Sequence, residues 1–267
     1  MLAAFLLGLI QGVSEFLPVS SSGHLALASL LFGVNDAGLT FNVLLHVGTL
    51  LATAIVLRQR LAGAIIAGIK ALAAPALFRT TPGGQDALFV ILASIPTAIL
   101  GFALRDVVEK WIDSPLVLGC GFLATAALLI FSQFARSGAI EHPSYQVALL
   151  LGLAQGIAVL PGVSRSGATI TCALFLGIAR TRAFELSMLM SVPAVLGAAL
   201  FELPKMISDI PDWPAALLGA AVACGSGILA ISWLRSLVIG GRFSLFALWV
   251  LPLAVATLAM ARSWPSG

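Results

Sequence analysis

The sequence predicts an all-α polytopic membrane protein in which two related halves form one membrane unit. Three observations carry that prediction. Of 267 residues, 60% are apolar in the AVILMFWYC sense and 9% are charged, against roughly a quarter charged in soluble domains. The mean hydropathy is +1.09. Two short apolar stretches interrupted by Ser, Gly and Pro also repeat one another along the chain. A soluble fold of this length leaves most of its surface wet and cannot hide so much apolar area. A cytosolic enzyme, a disordered chain and a secreted disulfide scaffold are therefore excluded. An outer-membrane barrel would alternate polar and apolar residues rather than run continuously apolar.

A hydrocarbon core of about 30 Å takes about 20 helical residues. Residues 41–57, 61–78, 87–104, 116–134, 183–201, 213–234 and 246–260 read as spanning segments. The breaks between them collect the charges: Arg58 with Arg60, then 79–86, 105–113, 136–142, 205–212 and 235–242. Such short breaks predict antiparallel neighbours and no soluble domain. The net charge of +3 is scattered, so nucleic acid is not expected as a partner and anionic headgroups beside the loops are. Lys and Arg are too evenly spread along the sequence to orient the chain. Cys120, Cys172 and Cys224 form no CxxC pair and read as small buried apolar residues. The chain opens on Leu-Ala-Ala-Phe-Leu-Leu without a basic segment, so a cleaved signal peptide is not expected.

Stretches 2–33 and 148–178 behave differently. Each is a short apolar helix, a polar centre and a second short apolar helix, the pattern of a broken or re-entrant hairpin. With Leu6 set against Leu150, Leu-Leu-Gly-Leu faces Leu-Leu-Gly-Leu and Gln11-Gly12 faces Gln155-Gly156. In the same register Val19-Ser20 faces Val163-Ser164, and Ser22-Gly23 faces Ser166-Gly167. We read repeat 1 as about 1–135 and repeat 2 as about 146–262 of a single membrane domain, 1–267. Paired interrupted segments in corresponding halves point to a central site where they meet. The copies are expected to be inverted, although spacing alone leaves the inversion open.

The first centre runs from Gln11 through Glu15, Pro18 and Ser20-Ser21-Ser22-Gly23 to His24. Gln11 and Glu15 are four residues apart and share a helix face. Pro18 ends that helix, and the serines stand where a second helix starts, either as N-caps or as part of an anion site at its positive end. The second centre, Leu160-Pro-Gly-Val-Ser164-Arg165-Ser166-Gly-Ala-Thr169, repeats this with Arg165 in place of Ser21. Arginine in an apolar membrane segment costs roughly 2.5–3.5 kcal/mol and needs a partner. Its planar fork suits phosphate or carboxylate oxygens. Pairing with Glu15 as a structural ion pair is the plainer alternative. His24 reads as functional from its place beyond the serine loop. His46 either lines the cavity or bonds to a neighbouring helix. Glu185 and Glu202 read as segment-end groups that snorkel or pair with Arg180 or Lys205, and Pro96 and Pro193 read as kinks.

These residues resemble the two signatures of the undecaprenyl-diphosphatases, the BacA-like lipid phosphatases linked to bacitracin resistance. Gln11-x-x-x-Glu15 with Phe-Leu-Pro-Val-Ser-Ser-Ser-Gly-His24 is similar to the first, and Pro161-Gly-Val-Ser-Arg-Ser-Gly-Ala-Thr169 to the second. The resemblance implies hydrolysis of undecaprenyl diphosphate to the monophosphate carrier of peptidoglycan synthesis and inorganic phosphate. It also implies an inverted-repeat fold in the bacterial inner membrane with a site open to the extracytoplasmic side, and a divalent cation. Mg²⁺ is the expected ion and Ca²⁺ the alternative, with Glu15 and Gln11 as metal-binding positions; Gln11 removes one carboxylate from that set. The motifs place catalytic roles on Ser21, His24, Glu15 and Arg165. Ser20, Ser22, Ser164, Ser166 and Thr169 are then donors to the substrate's phosphate oxygens. Ser21 attacking with His24 or Glu15 as base, His24 itself attacking, and direct attack by water all remain open. A transporter or flippase for a lipid phosphate or another anion is the rival reading. Oligomeric state and prenyl chain length are not legible.

Overall fold

The computed structural model describes residues 1–32, 39–136, 138–206 and 212–263. Among them lie thirteen α-helices in chain order: α1 (Leu2–Phe16), α2 (Ser21–Phe32), α3 (Leu39–Val56), α4 (Arg58–Ala73), α5 (Leu77–Thr80), α6 (Pro82–Ala103), α7 (Arg105–Trp111), α8 (Pro115–Ser132), α9 (Tyr145–Ile157), α10 (Arg165–Phe175), α11 (Arg180–Met206), α12 (Trp213–Ile239) and α13 (Ala247–Ser263). A 3₁₀ turn, Phe243–Phe246, leads into the last helix. The described residues contain no β-strand, only a bridge between Ile140 and Ile178. Most of the charged break 205–212, and the end of stretch 2–33, fall outside the described residues, as do the side chains of Glu202 and Lys205.

The all-α membrane architecture is confirmed, with one correction to the spans. Among the described residues, five helices are long and apolar enough to cross a bilayer: Pro82–Ala103, Pro115–Ser132, Arg180–Leu200, Trp213–Ile239 and Phe243–Arg262. The expected spans 41–57 and 61–78 are instead two helices bent by 89° at Leu57, adding at most one crossing. Arg58, Gln59 and Arg60 stand at that bend and are exposed. A polar triplet there keeps its charges out of the apolar layer, which a straight continuation would not.

The two broken hairpins form as expected. At 15 and 13 residues, α1 and α9 are too short to cross. Each packs on a long helix through a glycine pair. Cβ atoms on Gly8 and Gly12 would lie 2.4 Å from the Gly219 and Ala223 carbonyl oxygens of α12. Cβ atoms on Gly152 and Gly156 would lie 2.1 Å from the Ala93 oxygen and 2.7 Å from the Leu100 side chain of α6. Small residues one turn apart let backbones approach closely where lipid supplies no hydrophobic drive.

Helix directions follow from such contacts. Arg60 pairs with Asp86 and Glu185, so α3 ends where α6 and α11 begin. Gly219 meets Phe41 and Leu45, and Gly227 meets Ala52, so α12 runs alongside α3 in the same sense. Because α1 runs with α12 and α9 with α6, the hairpins enter the bundle from opposite ends. They also touch reciprocally. A Cβ on Gly23 would meet Gly162 at 3.1 Å, and one on Gly167 would meet Pro18 at 3.5 Å. In the register of the sequence match Gly23 faces Gly167 and Pro18 faces Gly162, so one contact is made twice with its partners exchanged.

At the end where α4, α6 and α11 begin, Arg182 bonds Asp86 and the Glu141 carbonyl, and lies 3.6 Å from Glu185. Glu185 also pairs with Arg60 at 3.0 Å. This corrects the expected pairing of Glu185 with Arg180 or Lys205. Arg182 stands one turn before Glu185 on α11, whereas Arg60 lies on α4, seven helices earlier in the chain, where no local spacing reveals it. All three cysteines are free, but none is fully buried as expected: Cys120 is exposed and Cys172 and Cys224 are half-buried.

Candidate functional site

The chain breaks between α1 and α2 and between α9 and α10 build the site. Ser20 has φ 67°, the sole left-handed non-glycine among the described residues. Such strain persists only where surrounding contacts over-determine it, and it concentrates at working sites. It lets the chain reverse after Leu17 and sets the Ser20 hydroxyl to accept from the Gly23 N–H at 3.3 Å, capping α2. In the second break Gly162 takes φ 83°, and the Ser164 hydroxyl accepts from the Gly167 N–H at 3.1 Å, capping α10. Ser20 pairs with Ser22 at 3.5 Å as Ser164 pairs with Ser166 at 3.3 Å. Thr125 of α8 pins the second break, donating to the Gly162 carbonyl and accepting from the Ser164 N–H, both at 2.9 Å.

Glu15 is the centre of the arrangement, with its side chain only 6% exposed. One carboxylate oxygen, Oε2, accepts from the Ser21 hydroxyl at 2.7 Å and from the Gln11 amide at 3.1 Å. The other, Oε1, accepts from Arg165 Nη2 across the junction of the two hairpins. Gln11, Glu15, Ser21 and Arg165 are thus brought together. The two hairpins contribute differently: where the first carries Ser21 the second carries Arg165. Two polar atoms in this group are buried without a hydrogen-bond partner, Arg165 Nη1 and Gln11 Oε1. A donor on a guanidinium and an acceptor beside a carboxylate suit an anion and a cation respectively.

The remaining expected site residues stand elsewhere. Ser164 and Ser166 are buried and bond each other. Thr169 is buried too, donating to the Arg165 carbonyl at 2.9 Å and sharing a 2.6 Å bond with Ser187 of α11. These hydroxyls hold the guanidinium's helix rather than facing Ser21. Ser22 is exposed. His24 is committed on both ring nitrogens: Nδ1 lies 2.9 Å from the Ser20 carbonyl, and Nε2 accepts from the Trp249 indole at 3.1 Å. Its tautomer is therefore Nδ1–H, and neither nitrogen is directed at Ser21. The histidine nearest the carboxylate is His46 of α3, with Nε2 3.7 Å from Glu15 Oε2. Its sequence context, an apolar helix with Thr49 one turn on, did not separate it from a packing histidine.

As a cation site this group is sparse. No set of three or more His, Cys, Asp or Glu side chains fit to hold a metal occurs among the described residues. What the chain offers is the Gln11 oxygen and one carboxylate already shared with Arg165 and Ser21. Magnesium commonly takes one or two protein oxygens and completes its shell with phosphate and water, so these residues fit an ion that arrives with a phosphorylated ligand.

Comparison with known proteins shows the family of the chain. The chain is 42% identical over 261 residues to an undecaprenyl-diphosphatase of Desulfosudis oleivorans, covering 94% of this chain and 95% of that protein. It is 37% identical over 267 residues to one of Bacteroides fragilis, covering 97% of each. It is 35% identical over 264 residues to one of Carboxydothermus hydrogenoformans, covering 96% of each. The family model described as bacitracin resistance protein BacA matches residues 4–256, both hairpins included, and the chain belongs to that family.

Proposed function

We propose that this chain removes the terminal phosphate of undecaprenyl diphosphate, releasing inorganic phosphate and the lipid monophosphate that carries peptidoglycan precursors. The observation that carries the reading is the Ser21–Glu15–Arg165 group, which sets a hydroxyl, its proton acceptor and an anion-binding guanidinium at one junction. In the first step the Ser21 oxygen attacks the terminal phosphorus and its proton passes to Glu15 Oε2. The bond from that phosphorus to the bridging oxygen breaks, and the lipid monophosphate leaves with the electron pair. Water then displaces Ser21 from the phosphoserine, and a proton returns to the serine oxygen. Phosphoryl transfer depends chiefly on positioning and on stabilising charge. Arg165 Nη1 and the start of α2 supply donors for the terminal phosphate. Gln11 and Glu15 would hold a divalent cation, Mg²⁺ or Ca²⁺, which when bound neutralises charge on the diphosphate.

The transport reading requires a sealed bilayer to have any consequence, whereas hydrolysis does not. Phosphate release by detergent-purified protein, lost in Ser21→Ala, supports the enzyme reading; no release from any prenyl diphosphate overturns it. A phosphorylated protein stable in acid and labile in base supports Ser21 as the attacking group. The reverse stability moves the attack to a histidine, and absence of any adduct moves it to water.

The two halves, about 1–135 and 146–262, are proposed as inverted repeats across the bacterial inner membrane. Charge supports an orientation once loops are grouped by the end at which they lie. Arg58, Arg60, Arg79, Arg136, Arg180, Arg182 and Arg242 gather at the end where α4, α6, α9 and α11 start. The opposite end carries Asp106, Glu109, Asp113 and Asp212 beside Arg105, Lys110 and Arg262. By the positive-inside rule the arginine-rich end is cytoplasmic. The first hairpin, which bears Glu15 and Ser21, enters from the other side, in keeping with a site open to the extracytoplasmic face.

A further inference from the structure

We propose that Trp249, held in place by His24, is the specificity-determining surface on which the substrate's prenyl tail leaves the site. The inference rests on the phosphatase reading above and extends it from the diphosphate to the lipid. Trp249 is 60% exposed, and the neighbouring Leu245 and Leu248 are exposed too. An exposed indole ordinarily has several orientations, yet this one is fixed from within. Its N–H donates to His24 Nε2 at 3.1 Å, and the two rings lie 15° from parallel with centroids 6.3 Å apart. Phe122 closes the other side of the imidazole edge-on at 5.5 Å. The polar edge of the indole is thereby satisfied inward while its apolar face stays free, the arrangement in which an aromatic ring gives packing area at low entropic cost.

The position matches the ligand. His24 follows Ser21 by three residues on α2, so it lies on the same helix face about one turn, ~5 Å, further along. In a prenyl diphosphate one inner phosphate separates the attacked phosphorus from the first isoprene unit, a span of the same order. With both nitrogens of His24 committed to Ser20 and Trp249, the imidazole serves as a positioning residue that joins the α2 serine segment to the aromatic surface on α13.

The test compares farnesyl diphosphate with ethyl diphosphate on the full-length protein in detergent, reading the ratio of their kcat/KM values. Trp249→Ala should lower that ratio about tenfold, chiefly through the KM of the farnesyl substrate, as loss of one aromatic contact implies. Trp249→Phe keeps a ring and should recover most of it. His24→Ala should lower the ratio similarly, and the double variant no further. An unchanged ratio in Trp249→Ala, as when bilayer lipid alone covers this face, overturns the proposal while leaving the phosphatase reading intact. So does a His24→Ala loss equal for both substrates, which would put the ring on the phosphoryl group. Failure of the unaltered protein to hydrolyse either substrate overturns both readings.

Discussion

Replacing Glu15 by glutamine separates the ion pair's part in holding the hairpins from its part in chemistry. Both partners are largely buried, with Glu15 6% and Arg165 17% exposed at the side chain. Removing one member of a buried pair leaves the other charge uncompensated, at about 3–5 kcal/mol. Glu15→Gln and Arg165→Met should each destabilise the detergent-solubilised protein by about that amount. Replacing both members with neutral groups of similar size is often near neutral. The double variant should therefore cost well below the sum of the two single variants. Activity should not follow stability. Loss of the carboxylate removes the acceptor for the Ser21 proton, worth about 10²–10⁴-fold in turnover, and neutralising Arg165 as well restores nothing. Thermal unfolding with phosphate release on the same preparations reads both quantities. Additive destabilisation would refute the pairing across the hairpins, and turnover regained in the double variant would refute a catalytic carboxylate.

Other outcomes follow from single contacts. Thr125→Val deprives the Gly162 carbonyl and the Ser164 N–H of their shared partner, and two orphaned buried groups should cost about 2–4 kcal/mol in thermal unfolding. Gly8→Ala forces a Cβ to 2.4 Å from the Gly219 oxygen, so it should destabilise by about 1–3 kcal/mol by overpacking and lower activity by shifting α1 with Gln11 and Glu15. Gly63→Ala, at a half-buried helical position where an added Cβ would have nothing within 4 Å, should instead stabilise by about 0.5–1 kcal/mol. Chelation should abolish phosphate release, and Mn²⁺ followed by paramagnetic resonance should bind appreciably only with a diphosphate present. Tight binding to the ligand-free protein would contradict a two-oxygen protein site.

Local pattern carried much of the fold. The hydropathy runs identified the long helices α6, α8, α11, α12 and α13 because a membrane span is a property of its own residues. The matching of Gln11-Gly12 with Gln155-Gly156 exposed the two hairpins, and the four-residue spacing of Gln11 and Glu15 placed both on one face. The bend at Leu57 was less legible, since 41–78 reads as two ordinary apolar runs and only the packing of α4 on α6 turns the chain aside. Ser20 and Ser164 read equally well as caps or ligands, and only the structure shows both hydroxyls accepting the capping N–H groups of Gly23 and Gly167.

The sequence by itself determined that this chain lives in a bilayer, that it contains paired broken hairpins, and that a glutamate, a serine and an arginine meet some need there. Composition and spacing suffice for these because they depend on neighbours along the chain. Only the tertiary structure decided which side chains share a carboxylate, that His46 stands beside Glu15 while His24 turns to Trp249, and that Asp86 and Glu185 belong to Arg182 and Arg60. It also gathered seven of the arginines at one end, which an even spread along the sequence concealed. Those facts depend on helices distant in sequence arriving at the same depth from opposite directions. No one-dimensional period encodes that.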